Sequence, residues 1–151
     1  MLSITRVTPR DLPDLLRMTE KLCAYHGDIC VMGYADAQRR FCGDGSLVGL
    51  IAKTSGTAVG YAVLEPHWRP MHQGDLLDIA HLFVEERHRA VGVGKALIAA
   101  ARDYARDVGA CRLVIGTSPL NPNAATIYRA MGLDEITVQP GPRFNVPLLD
   151  T

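Results

Sequence analysis

No stretch of this 151-residue chain stays apolar for the roughly 20 residues that a membrane-spanning helix needs. The first residues, MLSITRVTPRDLPDLL, lack a basic segment followed by an apolar one, so they do not read as a secretory signal. Charge of one sign is also missing: 16 Lys and Arg balance 16 Asp and Glu. A neutral chain has no overall field to recruit nucleic acid or an anionic membrane, and neither partner is expected. The four cysteines, Cys23, Cys30, Cys42 and Cys111, form no C-x-x-C pair, and no histidine stands at zinc-ligand spacing beside them. They read as reduced thiols, which leads to the expectation of a cytoplasmic protein with no metal. Repeats, low-complexity tracts and linkers are absent too. The length suits one domain spanning residues 1–151, with room for one core.

What is present alternates between two periods. Ser3 to Val7 reads as a strand. Thr8 and Asp11 then form a capping-box pattern with Pro9 at the first helical position. Leu12, Leu15, Leu16, Met18 and Leu22 continue it as a helical stripe to about Tyr25, and Gly27 ends it. Ala35 to Cys42 reads as a second, short helix. Leu47–Lys53 and Thr57–Leu64 are strand-like runs joined by a hairpin signal at Ser55-Gly56. A loop with two prolines covers 65–74, and Asp75–Val84 is the next strand. From Gly92 to Val108 the apolar residues Leu97, Ile98, Ala101, Tyr104, Ala105 and Val108 take one helical face. A strand at Arg112–Gly116, a helix at Asn123–Met131 capped by Gly132, and strands at Asp134–Val138 and Arg143–Leu149 complete the chain. This order predicts an α/β fold: a mixed, largely antiparallel seven-stranded sheet with helices on both faces.

The segment HLFVEERHRAVGVGKALI, residues 81–98, carries the chemistry. A strand ends at Val84, a basic loop follows, and Gly92-Val93-Gly94 opens a helix. The first amides of a helix lack internal partners and lie at its positive end, and glycines let a ligand approach the backbone. That combination suits a diphosphate, with Arg87, His88, Arg89 and Lys95 adding positive charge. A Walker A loop is excluded: Arg89 stands where its first Gly is required, and Ala96 follows the Lys. The dinucleotide fingerprint fails at Leu97, where its third Gly belongs.

What remains is R-x-x-G-x-G, Arg89-Ala90-Val91-Gly92-Val93-Gly94, followed by Lys95. This resembles the acyl-CoA pyrophosphate loop of the GNAT acetyltransferase superfamily. A second segment, NPNAATIYRAMGL at 121–133, is similar to the superfamily pattern N-x-x-A-x-x-x-Y-x-x-x-G, with Asn121, Ala124, Tyr128 and Gly132 in place. Within the superfamily the chain looks most like the diamine-acetyltransferase-like branch. The resemblance implies the acyl-CoA N-acyltransferase fold, acetyl-CoA as cosubstrate and no metal. It further implies that two parallel strands, here Asp75–Val84 and Arg112–Gly116, splay apart. The pantetheine arm would pair with the backbone of Leu82, Phe83 and Val84 between them. Two departures matter. The superfamily commonly has Gly after the loop Arg, and Ala90 here is tolerable if its φ is negative. The diamine branch has a Glu as base two residues before Leu82, and this chain has Ala80.

The implied reaction is direct attack of a neutral amine, on a small molecule or a protein N-terminus, on the acetyl thioester. Tyr128 is the implied acid for the departing thiol; its structural alternative is helix-to-sheet packing. The base is left open by the residues: Asp78 and His81 are candidates, and Glu65, His67, His72 and Glu85 would act through water. Asp78 shares a face with Ala80 in a regular strand, and a bulge would change this. The acceptor pocket is expected from residues 26–34 and the loop 65–74, with Tyr34 and Trp68 as its walls. The apolar end of the chain, containing Phe144, Val146, Leu148 and Leu149, suggests a homodimer. The rival reading is a non-catalytic module of the same fold that senses acyl-CoA.

Overall fold

The structure is a computed structural model that describes residues 1–118, 121–137 and 141–149. The chain forms two compact units, Met1–Gly116 and Thr117–Thr151.

The first unit is a five-stranded sheet in the order β1 (Leu2–Arg6), β2 (Val48–Thr54), β3 (Thr57–His67), β4 (Leu76–Val84) and β5 (Arg112–Ile115). The first four strands are antiparallel neighbours, and β4 and β5 run parallel. The β2–β3 hairpin turns where the sequence indicates: Ser55 and Gly56 both have positive φ, 51° and 81°, as the tight turn that matches strand twist requires.

Helices cover both faces. On one lie α1 (Leu12–Tyr25) and α2 (Tyr34–Gln38). Leu12, Leu15 and Met18 of α1 bury completely against Ile51, Tyr61, Val63 and Phe83. The start of α1 is fixed by Asp11, whose carboxylate accepts the Thr8 N–H at 2.8 Å and the Thr8 hydroxyl at 3.1 Å. Asp11 is buried and also receives Lys53 Nζ at 2.6 Å, tying the helix start to β2. At the other end the Asp28 N–H reaches back to the Cys23 carbonyl oxygen at 2.8 Å, closing the helix. The second helix is shorter than the sequence pattern, because the backbone widens at Arg39–Gly43 into a π-turn. On the opposite face lies α3 (Val93–Asp107), which buries Val93, Leu97, Ala101 and Ala105 at four-residue spacing against Ala62, Leu64 and Ile79.

The second unit contains α4 (Pro122–Ala130) and irregular chain. The two strands expected at Asp134–Val138 and Arg143–Leu149 are not strands among the described residues, and Val138 lies outside them. The sheet therefore has five described strands, not seven. Pro142 and Pro147 offer no N–H to a ladder, so the alternating pattern of this segment is not matched by the donors a strand requires. Phe144, Val146 and Leu148 are accordingly 86, 77 and 95% exposed.

Candidate functional site

The last pairing between β4 and β5 is Ile79 with Ile115, and β4 runs on for five more residues. Beyond that point its β5-facing edge has no described strand beside it. Which groups point there follows from the β3 side. The Glu85 N–H donates to the Val59 carbonyl oxygen at 2.8 Å, and the same register places Gly60 opposite Val84, Tyr61 opposite Phe83 and Ala62 opposite Leu82. Bonded pairs alternate in an antiparallel ladder. Phe83 thus spends its N–H and C=O on Tyr61, while Leu82 and Val84 turn theirs toward the open edge. Sequence reasoning grouped Leu82, Phe83 and Val84 together; the register separates them.

At the end of β4 the chain makes a short 3-10 turn at Glu86–His88 and enters the loop to α3. Arg89 folds back: its Nε donates to the Val84 carbonyl oxygen at 2.9 Å, and its guanidinium stands 5.9 Å from the Phe83 ring centroid. Glu85 anchors the root of the loop to α1 through Arg17 Nη1 at 3.0 Å and Lys21 Nζ at 2.9 Å. Burial alone would raise its pKa; these two cations outweigh it and hold the carboxylate below its ordinary range.

Ala90 has φ of 63°, in the left-handed region, and so does the helix-capping Gly92, with φ of 93°. The condition under which Ala90 would be a mild variation, a negative φ, is therefore not met. The reason is local: the chain must reverse between Arg89, braced on Val84, and the first turn of α3, which a left-handed residue allows. The first internal bond of α3 runs from the Ala96 N–H to the Gly92 carbonyl oxygen at 3.0 Å. The N–H groups of Val93, Gly94 and Lys95 precede it and have no partner within the helix. Val93 points its side chain into the core, and Val91 is exposed. Internal packing does not require a glycine at 94, since a Cβ there would meet only Val84 Cγ2, at 4.0 Å. A Cβ at Gly92 would meet nothing within 4 Å. Among the described residues neither Arg87 nor Lys95 has an ion-pair partner, so both charges remain unneutralised beside these amides. Free amides, a helix start, open space and cations together can hold a diphosphate.

A bulge interrupts β4. Val63 pairs with His81 and Leu64 with Ile79, so Ala80 is an extra residue on β4. Ile79 packs on the α3 side with Leu64, whereas Val63 and Phe83 pack on the α1 side. The bulge thus places His81 on the α1 face, edge-on to Tyr61 with ring centroids 6.4 Å apart. Asp78 shares that face, opposite Glu65. Burial raises the Asp78 pKa, with Glu65 adding to the effect and His67 opposing it. His67 Nε2 stands 3.7 Å from Glu65 Oε1. Solvent reaches His81, yet the protein around its ring disfavours the imidazolium and lowers its pKa; His26 reinforces the shift and Glu65 opposes it. Of the expected pocket walls, Trp68 is 73% and Tyr34 49% exposed.

In the second unit Asn121 caps α4, and Ala124 and Tyr128 lie one turn apart on that helix. Tyr128 is half-buried, and burial raises its phenol pKa. The helix ends where sequence places its cap, with Gly132 at φ of 79° and the Leu133 N–H on the Tyr128 carbonyl oxygen at 3.2 Å.

Residues 15–133 match the profile of the acetyltransferase (GNAT) family. The chain belongs to the GNAT family. It is 31% identical over 101 residues to mouse (Mus musculus) N-acetyltransferase family 8 member 3, covering 67% of this chain and 45% of that protein. Human (Homo sapiens) N-acetyltransferase 8 is 30% identical over 82 residues, covering 54% of this chain and 36% of its own length. The chain thus spans less than half the length of these curated relatives. Among solved structures, the aminoglycoside acetyltransferase AAC(6')-Iy with a CoA-based bisubstrate analogue superposes with a TM-score of 0.79 at 22% identity, covering 97% of this chain and 99% of that one. A ribosomal-protein-alanine N-acetyltransferase from Brucella melitensis biovar Abortus 2308 gives a TM-score of 0.74 at 19% identity, covering 95 and 100%. At these identities the solved structures establish the shared fold. As a GNAT chain this one carries two features that sequence reasoning left undetermined: the bulge at Ala80 and the left-handed Ala90. The signal for the second was the position itself, where the family resemblance implies Gly.

Proposed function

We propose that this chain moves an acetyl group from acetyl-CoA to a primary amine. The observation that carries the reading is the continuity between the open β4 edge at Leu82 and Val84 and the unpartnered amides at the start of α3. An extended amide-bearing arm fits the first as an added strand would. A diphosphate fits the second. Arg89, Ala90, Val91, Gly92, Val93, Gly94 and Lys95 hold the pyrophosphate, and the family resemblance assigns Asn121 and Ala124 to cofactor binding as well. The deprotonated amine attacks the thioester carbonyl, the carbon–sulfur bond breaks, and the leaving thiolate takes a proton. Tyr128 supplies that proton: burial raises its pKa, so the phenol stays protonated at neutral pH.

The acceptor is the amine of a small molecule or of a protein N-terminus. Aminoglycosides and alanine N-termini belong in a test panel because structural relatives are named for them. The diamine-acetyltransferase-like branch is the finer reading of the resemblance, although Ala80 stands where that branch has its Glu. The exposed Phe144, Val146 and Leu148 support self-association as a homodimer, which sedimentation at tens of micromolar would check. The four unpaired thiols favour a cytoplasmic setting. A thiol-release assay with acetyl-CoA and a panel of amines tests the main reading. Acetyl-CoA-dependent release with at least one amine is the expected result. CoA binding without release for every amine would leave the non-catalytic sensor instead.

A further inference from the structure

The β4 bulge has a chemical consequence at the point where the sheet closes. Resting on the acetyl-transfer reading above, an arm that leaves the α3 amides and runs along Val84 and Leu82 reaches Ala80 and His81 after about four residues, or roughly 13 Å of strand. There β4 rejoins β5 at Ile79 and Ile115, so the reactive end of the arm stops beside the bulge. In an uninterrupted strand His81 would face α3 with Ile79. With Ala80 inserted it faces α1, on the side of His26, the residue that begins the 26–34 connection.

We propose that His81 is the base that takes the proton from the acceptor amine, and that the Ala80 bulge is the device that presents it. The other candidates are placed less well. Asp78 lies within the closed part of the sheet, paired with Glu65 on one side and Val114 on the other. Glu85 is committed to Arg17 and Lys21. His67 is exposed, and its Nε2 is turned toward Glu65 Oε1, 3.7 Å away. His81 keeps an open imidazole edge, with Tyr61 against its ring. Its surroundings hold Glu65 on β3, His26 at the end of α1 and Asp78 on its own strand. The crowding that lowers its pKa leaves it unprotonated, hence able to accept a proton, at neutral pH. Once protonated, it is stabilised by the Glu65 carboxylate. The proton moves from the ammonium nitrogen to an imidazole nitrogen, the freed lone pair attacks the thioester carbonyl, and the carbon–sulfur bond breaks as the thiolate takes a proton from Tyr128; the second proton that the nitrogen sheds as the amide forms replaces the one Tyr128 gave.

The test compares wild type, His81→Gln and His81→Ala on the best amine acceptor, from about pH 5 to pH 9, with CoA affinity measured by calorimetry. Both variants should keep CoA affinity and lose about 10²-fold in kcat. The acid limb of the wild-type profile should vanish, and added imidazole should restore part of the His81→Ala rate in proportion to its neutral fraction. A variant that transfers at the wild-type rate, or keeps the same acid limb, overturns the assignment while leaving the acetyl-transfer reading intact. So does an acid limb that disappears in Asp78→Asn and persists in His81→Gln. Wild-type protein that acetylates no amine overturns both.

Discussion

Replacing Ala90 with glycine removes one methyl group from an exposed position and should make the protein more stable. The residue sits at φ of 63°, where a side chain crowds its own carbonyl at a penalty of about 1–2 kcal/mol. Glycine avoids that penalty but loses about 0.5–1 kcal/mol more backbone entropy on folding. Ala90 is exposed, so little packing is forfeited. The difference leaves a net gain of about 0.5–1 kcal/mol, or about 1–4 °C in melting temperature for a chain of this length. Urea melts of wild type and Ala90→Gly measure it: the midpoint should rise with the slope unchanged. Ala90→Val should move the other way by about 1 kcal/mol or more, because a β-branched residue tolerates positive φ least. CoA affinity should hold or improve in the glycine variant, since the left-handed backbone is the one that leads into the α3 amides. A lower midpoint for Ala90→Gly, or an unchanged one for Ala90→Val, would show that this loop does not require a left-handed residue at 90.

Gly92→Asp should abolish CoA binding, because it adds a carboxylate beside the amides and a side chain at φ of 93°; calorimetry with unchanged affinity would remove the pyrophosphate from this loop. Tyr128→Phe should lower kcat by about 10²-fold and leave the Michaelis constants nearly unchanged, and equal pH–rate profiles for the two proteins would reduce Tyr128 to packing. Lys53→Met should destabilise the fold by about 2 kcal/mol, less than a wholly buried pair would lose, since water reaches Lys53. The same pair sets an acid dependence. Burial opposes ionisation of Asp11, but Lys53 and Thr8 outweigh it and lower the pKa. Its contribution is therefore complete above the unfolded carboxylate pKa and is lost as pH falls through the folded value. Urea midpoints at neutral and acid pH should diverge less in Lys53→Met than in wild type.

Where local pattern and tertiary environment agree, the sequence alone sufficed. Thr8 and Asp11 announced the cap of α1, Ser55-Gly56 the hairpin, and the spacing of Leu97, Ala101 and Ala105 the buried face of α3. The start of α3 and its open amides were legible because glycines, cations and a helix start coincide within a few residues. The bulge was not. In Leu77-Asp78-Ile79-Ala80-His81-Leu82-Phe83, a regular strand and a bulged one are equally compatible with the order of apolar residues, and only the partners on β3 decide. The left-handed Ala90 was hidden because nothing in an alanine signals its φ. The segment 143–149 misled for the opposite reason: its alternation is real, but alternation specifies a strand only where donors and a partner edge exist.

Beyond Ile79 the edge of β4 has no neighbouring strand among the described residues, which leaves an open seam along Leu82 and Val84. A seam of this kind makes the folded population answer to metabolism. Any molecule that fills it binds the native chain and not the unfolded one, so stability rises with the logarithm of that molecule's concentration over its dissociation constant, about 2.7 kcal/mol at a hundredfold excess. Freshly emptied protein should then exchange the amide protons of Leu82 and Val84 faster than that of Phe83, which Tyr61 holds. If the β4 edge holds acetyl-CoA as proposed, a cell depleted of that cosubstrate would hold a less persistent protein, its lifetime against proteases shortened through the same strand.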